Sequence, residues 1–187
     1  MKEIINSFLV LNDEQWNYCE SKLKTVVVKK NDFLLKKNEV CNYLCFVKKG
    51  GFRSYYLTAE GEEINFLFHF ANQFFCDYES FLQKTPSNLN IVATEDSTLI
   101  VLHKDKLEDL YRKDAVWQEF GRKVAENIYL SARKRTEELL LQTAEDRYLR
   151  LMEHSPLIFE KISQKNIASY LGIKPQSLSR IRKRVTI

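Results

Sequence analysis

The sequence holds no apolar run long enough to cross a bilayer and no charged-then-apolar leader ending in a small-residue cleavage site. This argues against membrane-embedded and secreted classes and predicts a cytoplasmic protein. Cysteines stand only at 19, 41, 45 and 76, too sparse for a disulfide scaffold in 187 residues, and no Cys-x-x-Cys occurs. Cys41 and Cys45, four apart, fall on one side of a strand and read as buried thiols rather than as metal or redox groups. His69, His103 and His154 are isolated, without the His-x-His or His-x-x-x-His spacing of a cupin-type metal site. Glycine-rich phosphate loops and nucleophile elbows are missing too. No catalytic residue, metal ligand set or cofactor is expected.

Acid is missing from one end. Residues 161–187 carry Lys161, Lys165, Lys174, Arg180, Arg182, Lys183 and Arg184, with no Asp or Glu. The net charge of +4 is therefore unevenly placed, because 29 basic residues less these seven face 25 acidic ones and leave residues 1–160 at about −3. A basic end on an acidic body suits a phosphate backbone.

What is present divides by periodicity. From Asn12 to Lys24, Asn12 or Asp13 can cap a helix with Trp16, Cys19 and Leu23 on one face. Seven short stretches rich in Val, Ile, Phe and Tyr then read as strands: 25–29, 33–36, 43–48, 51–56, 64–70, 89–93 and 97–102. Turn chemistry such as Lys49-Gly50-Gly51 and Ala59-Glu60-Gly61 separates them, and the set predicts an antiparallel roll or barrel. The aromatic cluster Phe66, Phe68, Phe70, Phe74, Phe75 and Phe81 reads as the core of that roll rather than a cofactor box, or as the wall of an apolar ligand pocket. Helical periodicity returns over 104–112 and then from Ala115 to about Gln142. Val116, Phe120, Val124 and Ile128 form an apolar stripe on the longer helix. The roll could cover it, or a second copy could pair with it; the helix length favours the dimer seam. Thr143-Ala-Glu-Asp146 has the form of a capped helix start, and a boundary is placed near 141–143.

In the basic end, Ile167, Ala168 and Leu171 lie on one helical face and Gly172 supplies a turn. Pro175 suits the first position of a second helix. There Leu178, Ile181 and Val185 make a buried stripe, and Gln176, Ser177, Arg180 and Arg184 lie on the other side. Two short helices joined by a Gly-containing turn, the second with a donor-rich face, describe a helix-turn-helix. Gln176, Ser177 and Arg180 are assigned to base edges, since Gln and Arg can make bidentate contacts to adenine and guanine. Lys165, Lys174, Arg182, Lys183 and Arg184 are assigned to phosphates.

In this order the motifs Phe33-Leu-Leu-Lys-Lys-Asn-Glu39, Phe46-Val-Lys-Lys-Gly50, Glu60-Gly-Glu-Glu-Ile64, Ile167-Ala-Ser-Tyr-Leu-Gly172 and Ser177-Leu-Ser-Arg-Ile181 resemble the CRP/FNR superfamily of transcription regulators. The stretch Asn72–Phe81 looks like a branch of it seen in Bacteroidetes-type bacteria. The resemblance implies an α+β fold in three parts. These are an N-terminal, jelly-roll-like antiparallel β-roll of the cyclic-nucleotide-binding type (1–114), a dimerisation helix (115–142) and a winged-helix-like helix-turn-helix lacking an extended wing (143–187). It implies double-stranded DNA as partner, a homodimer on a palindrome, RNA polymerase as a further partner, and a small-molecule effector or none.

The departures from that family are specific. Its cyclic-nucleotide binders use a Gly-Glu pair for the ribose and an Arg-Ser pair for the cyclic phosphate. Aligned without gaps, these fall on Cys76-Asp77 and Ser87-Asn88, so the effector pocket is degenerate and cyclic AMP is not expected to bind in the family manner. The N-terminal cysteines of the family's oxygen-sensing branch are also missing. On the second helix, the family's Arg-Glu falls on Pro175-Gln176, so its operator does not carry over. A competing reading is a ligand- or partner-binding sensor whose basic tail reads no specific DNA. A third is a cupin-type enzyme, which metal content and turnover would test.

Overall fold

The computed structural model describes residues 1–185. It begins with two short helices, α1 (Lys2–Asn6) and α2 (Asp13–Glu20). Asn12 caps α2 in a reciprocal box: its side chain accepts from Gln15 N at 2.8 Å, and Gln15 Oε1 accepts from Asn12 N at 3.0 Å. Strands β1 (Lys24–Val28), β2 (Phe33–Leu35), β3 (Tyr43–Lys49), β4 (Gly51–Leu57), β5 (Glu63–Phe70) and β6 (Phe74–Phe75) follow. Helix α3 (Tyr78–Gln83) interrupts them before β7 (Leu89–Ala93) and β8 (Ser97–His103). Every pairing is antiparallel, in two four-stranded sheets of order β1-β8-β3-β6 and β2-β7-β4-β5. The seven expected strands are all present, and the short β6, too brief to show a period, is the addition. Gly50, at φ 95°, turns β3 into β4 with its α-carbon against Ser97, where a Cβ would overlap the serine.

Four helices and a terminal pair complete the chain. They are α4 (Lys104–Lys113), the 27-residue α5 (Ala115–Leu141), α6 (Ala144–His154), α7 (Leu157–Lys161), α8 (Gln164–Tyr170) and α9 (Pro175–Val185). Thr143 caps α6 in a second reciprocal box with Asp146. Asp114 caps α5 through Val116 N at 2.9 Å and also accepts from Gln15 Nε2 at 2.7 Å, which ties the start of α5 to α2. At Gly121, α5 passes so close to α4 that a Cβ would overlap the Tyr111 hydroxyl.

Two apolar cores result. The first joins both sheets to α1, α2, α4 and the first half of α5; Phe75 and Phe81 belong to it, while Phe66 and Phe70 are half-buried. The second joins α6 to α9, and Phe68 of β5 reaches into it.

The stripe expected to be a dimer seam is not available for one. Phe120 (2% exposed) and Val124 (7%) are buried in the first core, with Val116 and Ile128 packed at its margin. Phe120 stacks edge-on against Trp117 and Phe74 and lies parallel to Phe8. The reason is area: the outer face of the sheet holding Phe74, together with α1, offers an apolar surface that covers this stripe within one chain. The apolar side chains that α5 leaves in solvent are Tyr129 (63%), Leu130, Leu139, Leu140 (76%) and Leu141.

Candidate nucleic-acid interface

Helices α8 and α9 are joined by residues 171–174, with Gly172 at φ 68°, the left-handed geometry that ends a helix cheaply only with glycine. Ser163 caps α8 by accepting from Asn166 N at 3.3 Å. Leu178 and Ile181 anchor α9 in the second core, with Val185 half-buried beside them.

Positions 176, 177, 179, 180 and 182–184 of α9 are all exposed. At 3.6 residues per turn, the face opposite Leu178 and Ile181 is the row Gln176, Ser179, Arg180 and Lys183. The expected set is therefore only partly brought together. Gln176 and Arg180 share the outermost row, and Ser177 flanks it. Lys183, expected beside the face, stands within it. Ser179 was missed in the sequence, although the spacing i, i+3, i+4, i+7 from Gln176 marks it. Arg182 and Lys183 line an open cleft with Ser179 and Gln164, on the side where α8 begins. Arg184 is turned the other way, with its Nη2 2.9 Å from Glu145 Oε2 of α6, so its assignment to phosphate competes with an ion pair. Lys165 is exposed in the first turn of α8, and Lys174 is exposed directly before α9.

Helix α8 is docked on the roll. Ser169 Oγ donates to Glu63 O at 2.8 Å and accepts from Asn65 N at 2.9 Å, while Asn65 Nδ2 reaches Asn166 Oδ1 at 3.4 Å. Phe68 and Tyr170 meet at 5.2 Å between ring centroids. Strand β5 is a sheet edge, and α8 covers part of it, a standard protection for unpaired strand groups. Lys161 Nζ adds a 2.6 Å ion pair to Glu95 at the other end of the same side.

The roll's own candidate positions surround α3. Asp77 caps that helix, accepting from Ser80 N at 3.5 Å. Ser87 is buried; its Oγ donates to Leu89 O at 3.0 Å and accepts from Leu89 N at 3.1 Å, its N–H donates to Glu39 O, and its carbonyl accepts from Asn38 N. Burial pushes the Cys76 thiol well up, helped by Cys41 and Cys45 nearby. Among the described residues, no Lys or Arg makes an ion pair or hydrogen bond with Asp77, Ser87 or Asn88.

With this geometry in hand, residues 25–114 match the family model of the cyclic nucleotide-binding domain. No curated protein sequence matches the chain. Among solved structures it is similar to FixK2 of Bradyrhizobium japonicum, with a TM-score of 0.76 and 18% identity over 88% of this chain and 84% of that one. It is also similar to a transcriptional regulator of the CRP/FNR family from Eubacterium rectale, at 0.73 and 21% over 94% and 84%. The catabolite activator protein of Thermus thermophilus follows at 0.61 and 17% over 98% and 86%. The fold is thus that of CRP/FNR regulators, a mixture of helices and antiparallel sheet.

Elsewhere in the roll and the helices packed against it, several titratable groups are buried. His69 is fully enclosed, accepts or donates at Ser54 Oγ (2.9 Å), stacks on Phe75, and has its pKa lowered to about 3 by desolvation. Lys104 is buried and donates to the Phe81 and Leu82 carbonyls, fixing the end of α3. Burial raises the Cys19 thiol to about 12 and raises Cys41 and Cys45 likewise, so these thiols are unreactive as thiolates. The described residues contain no group of three His, Cys, Asp or Glu side chains able to hold a metal. None of their helices is long and apolar enough to cross a membrane.

Proposed function

We propose that the protein is a sequence-specific, DNA-binding transcription regulator of the CRP/FNR type and not an enzyme, in which α9 enters the major groove. The observation that carries this is the acid-free exposed row Gln176, Ser179, Arg180 and Lys183, set opposite a buried stripe on a helix whose partner α8 is braced against the roll. Rigid support of that kind is what a base-reading helix requires. Lys165, Lys174 and Arg182 flank the row and suit phosphates.

The reading includes a homodimer. Its seam is moved to the uncovered side of α5, where Ala125, Tyr129, Ala132, Thr136 and Leu140 recur at spacings of three and four. It also includes independence from cyclic AMP. Ser87 stands where a phosphate-pairing Arg is expected, its hydrogen bonds are satisfied internally, and no cation pairs with it, so a buried phosphate would go uncompensated. RNA polymerase as a further partner, and the Bacteroidetes-type branch, belong to the same reading.

Selection of bound fragments from random duplexes, followed by affinity measurement on the selected and a scrambled sequence at physiological salt, tests the function. A palindrome bound at least 1,000-fold above the scrambled duplex, roughly the lower end for specific regulators, supports it. Equal affinity for both leaves a sensor with a basic tail.

A further inference from the structure

The junction of α5, α6 and α8 holds a cleft of about 180 Å³ that shares no residue with the α9 face or with the positions around α3. Lys134, Arg135, Arg147 and Arg150 line it, with His154 at its rim and Glu138 as its one carboxylate. No carboxylate lies within ion-pair distance of any of these four cations among the described residues. That is unusual for Arg135, which is only 5% exposed. A buried guanidinium is normally paired with an acid.

Arg135 instead lies over the Tyr170 ring at 3.9 Å and donates from Nη2 to the Tyr170 carbonyl, while its Nε finds no acceptor. Desolvation lowers its pKa, the signature of a cation held without sufficient counter-charge. Arg147 is held in place by carbonyls: Nε and Nη2 donate to Leu171 O at 3.1 and 2.8 Å, and Nη1 donates to Gln142 O at 2.6 Å. These bonds orient the side chain without neutralising it. Lys134 and Arg150 are exposed and can swing toward the opening.

We infer that this cleft is a binding site for a phosphate group, free or carried by a small phosphoester. Two fixed guanidiniums and two mobile cations match a multiply charged oxyanion better than a single carboxylate, and the unsatisfied Nε of Arg135 leaves a donor for one of its oxygens. The volume falls below the roughly 300–1,000 Å³ of pockets that enclose drug-sized ligands, so the phosphate enters and any attached group stays outside. An occupant bridges the long helix, α6 and the last turn of α8, and therefore stiffens the joint that carries α9. The site stands whether or not α9 reads DNA.

Calorimetric titration of the full chain with inorganic phosphate and with ribose 5-phosphate, at ionic strength held constant with sodium chloride, tests it. Saturable binding of either is expected, with the tighter of the two naming the source. The double variant Lys134→Ala/Arg150→Ala changes only exposed side chains and should weaken that binding at least ten-fold while its circular dichroism is unchanged. No saturable heat with either probe overturns the inference, as does equal affinity in the variant. Loss of duplex DNA affinity in the variant, with no phosphate binding by the wild type, also overturns it and assigns the cleft to the DNA surface.

Discussion

Ser169 of α8 donates to the Glu63 carbonyl at 2.8 Å, and the same oxygen accepts from the Asn65 amide at 2.9 Å. One hydroxyl thus satisfies both polar groups that edge strand β5 presents there. The helix pair is fixed to the roll by a directional contact, and not by apolar packing of Phe68 and Tyr170 alone. Ser169→Ala leaves a donor and an acceptor unpaired beneath α8, at a cost of about 1–3 kcal/mol. Hydrogen exchange at the Asn65 amide should accelerate accordingly; unchanged protection would mean the hydroxyl does not hold the dock.

Acid sensitivity should trace to His69. Its pKa falls from 6.5 to about 3 on folding, so between those values the unfolded chain binds a proton that the folded chain does not. Stability from this group is complete above pH 6.5 and declines as pH falls, by about 1.4 kcal/mol per unit at most. The double variant Ser54→Ala/His69→Phe removes both partners of the 2.9 Å contact and should flatten the stability profile between pH 6.5 and 4. Urea midpoints across that range would show it, and parallel profiles for variant and wild type would sink the idea.

The two faces of α5 should separate under mutation. Phe120→Ala opens a cavity in the roll's core and should cost about 3–5 kcal/mol, with aromatic circular dichroism lost on mild heating. Leu140→Glu alters only an exposed position and should leave the thermal midpoint of the monomer intact while dimers dissociate in sedimentation. A dimer that survives Leu140→Glu and falls apart with Phe120→Ala at native stability would return the seam to the covered stripe.

Binding on specific and scrambled duplexes should rank the side chains of α9. Arg180→Ala should cost about 1–3 kcal/mol on the specific duplex only. Lys183→Ala, because that side chain stands in the outermost row, should also lower affinity more on the specific duplex. Lys165→Ala should weaken both alike and reduce the slope of log affinity against log salt by about one. Two-fold symmetry puts half-site centres about 10 base pairs apart. If Arg180→Ala weakened both duplexes equally, α9 would be a basic clamp and no reader.

Much of this was legible in the residues because it depends on local chemistry. The reciprocal caps at Asn12 and Thr143, the glycine turn at 172 and the short Val-, Ile-, Phe- and Tyr-rich stretches between turn residues each depend on neighbours a few positions apart. Helices α1, α3 and α7 left no such trace, since five or six residues are too few to establish a period. Ser179 lies within reach of the helical spacing, three positions after Gln176.

By itself, the sequence determined the order of roll, long helix and basic helix pair, and the acid-free character of α9. Each of these is a property of residue type and spacing. Which surface covers Val116, Phe120, Val124 and Ile128 was decided only in three dimensions, because an apolar stripe specifies that it be buried and not by what. The same holds for the convergence of Lys134, Arg135, Arg147 and Arg150, and for Arg184 turning to Glu145: charges on separate helices acquire neighbours only when packing sets the angle between those helices.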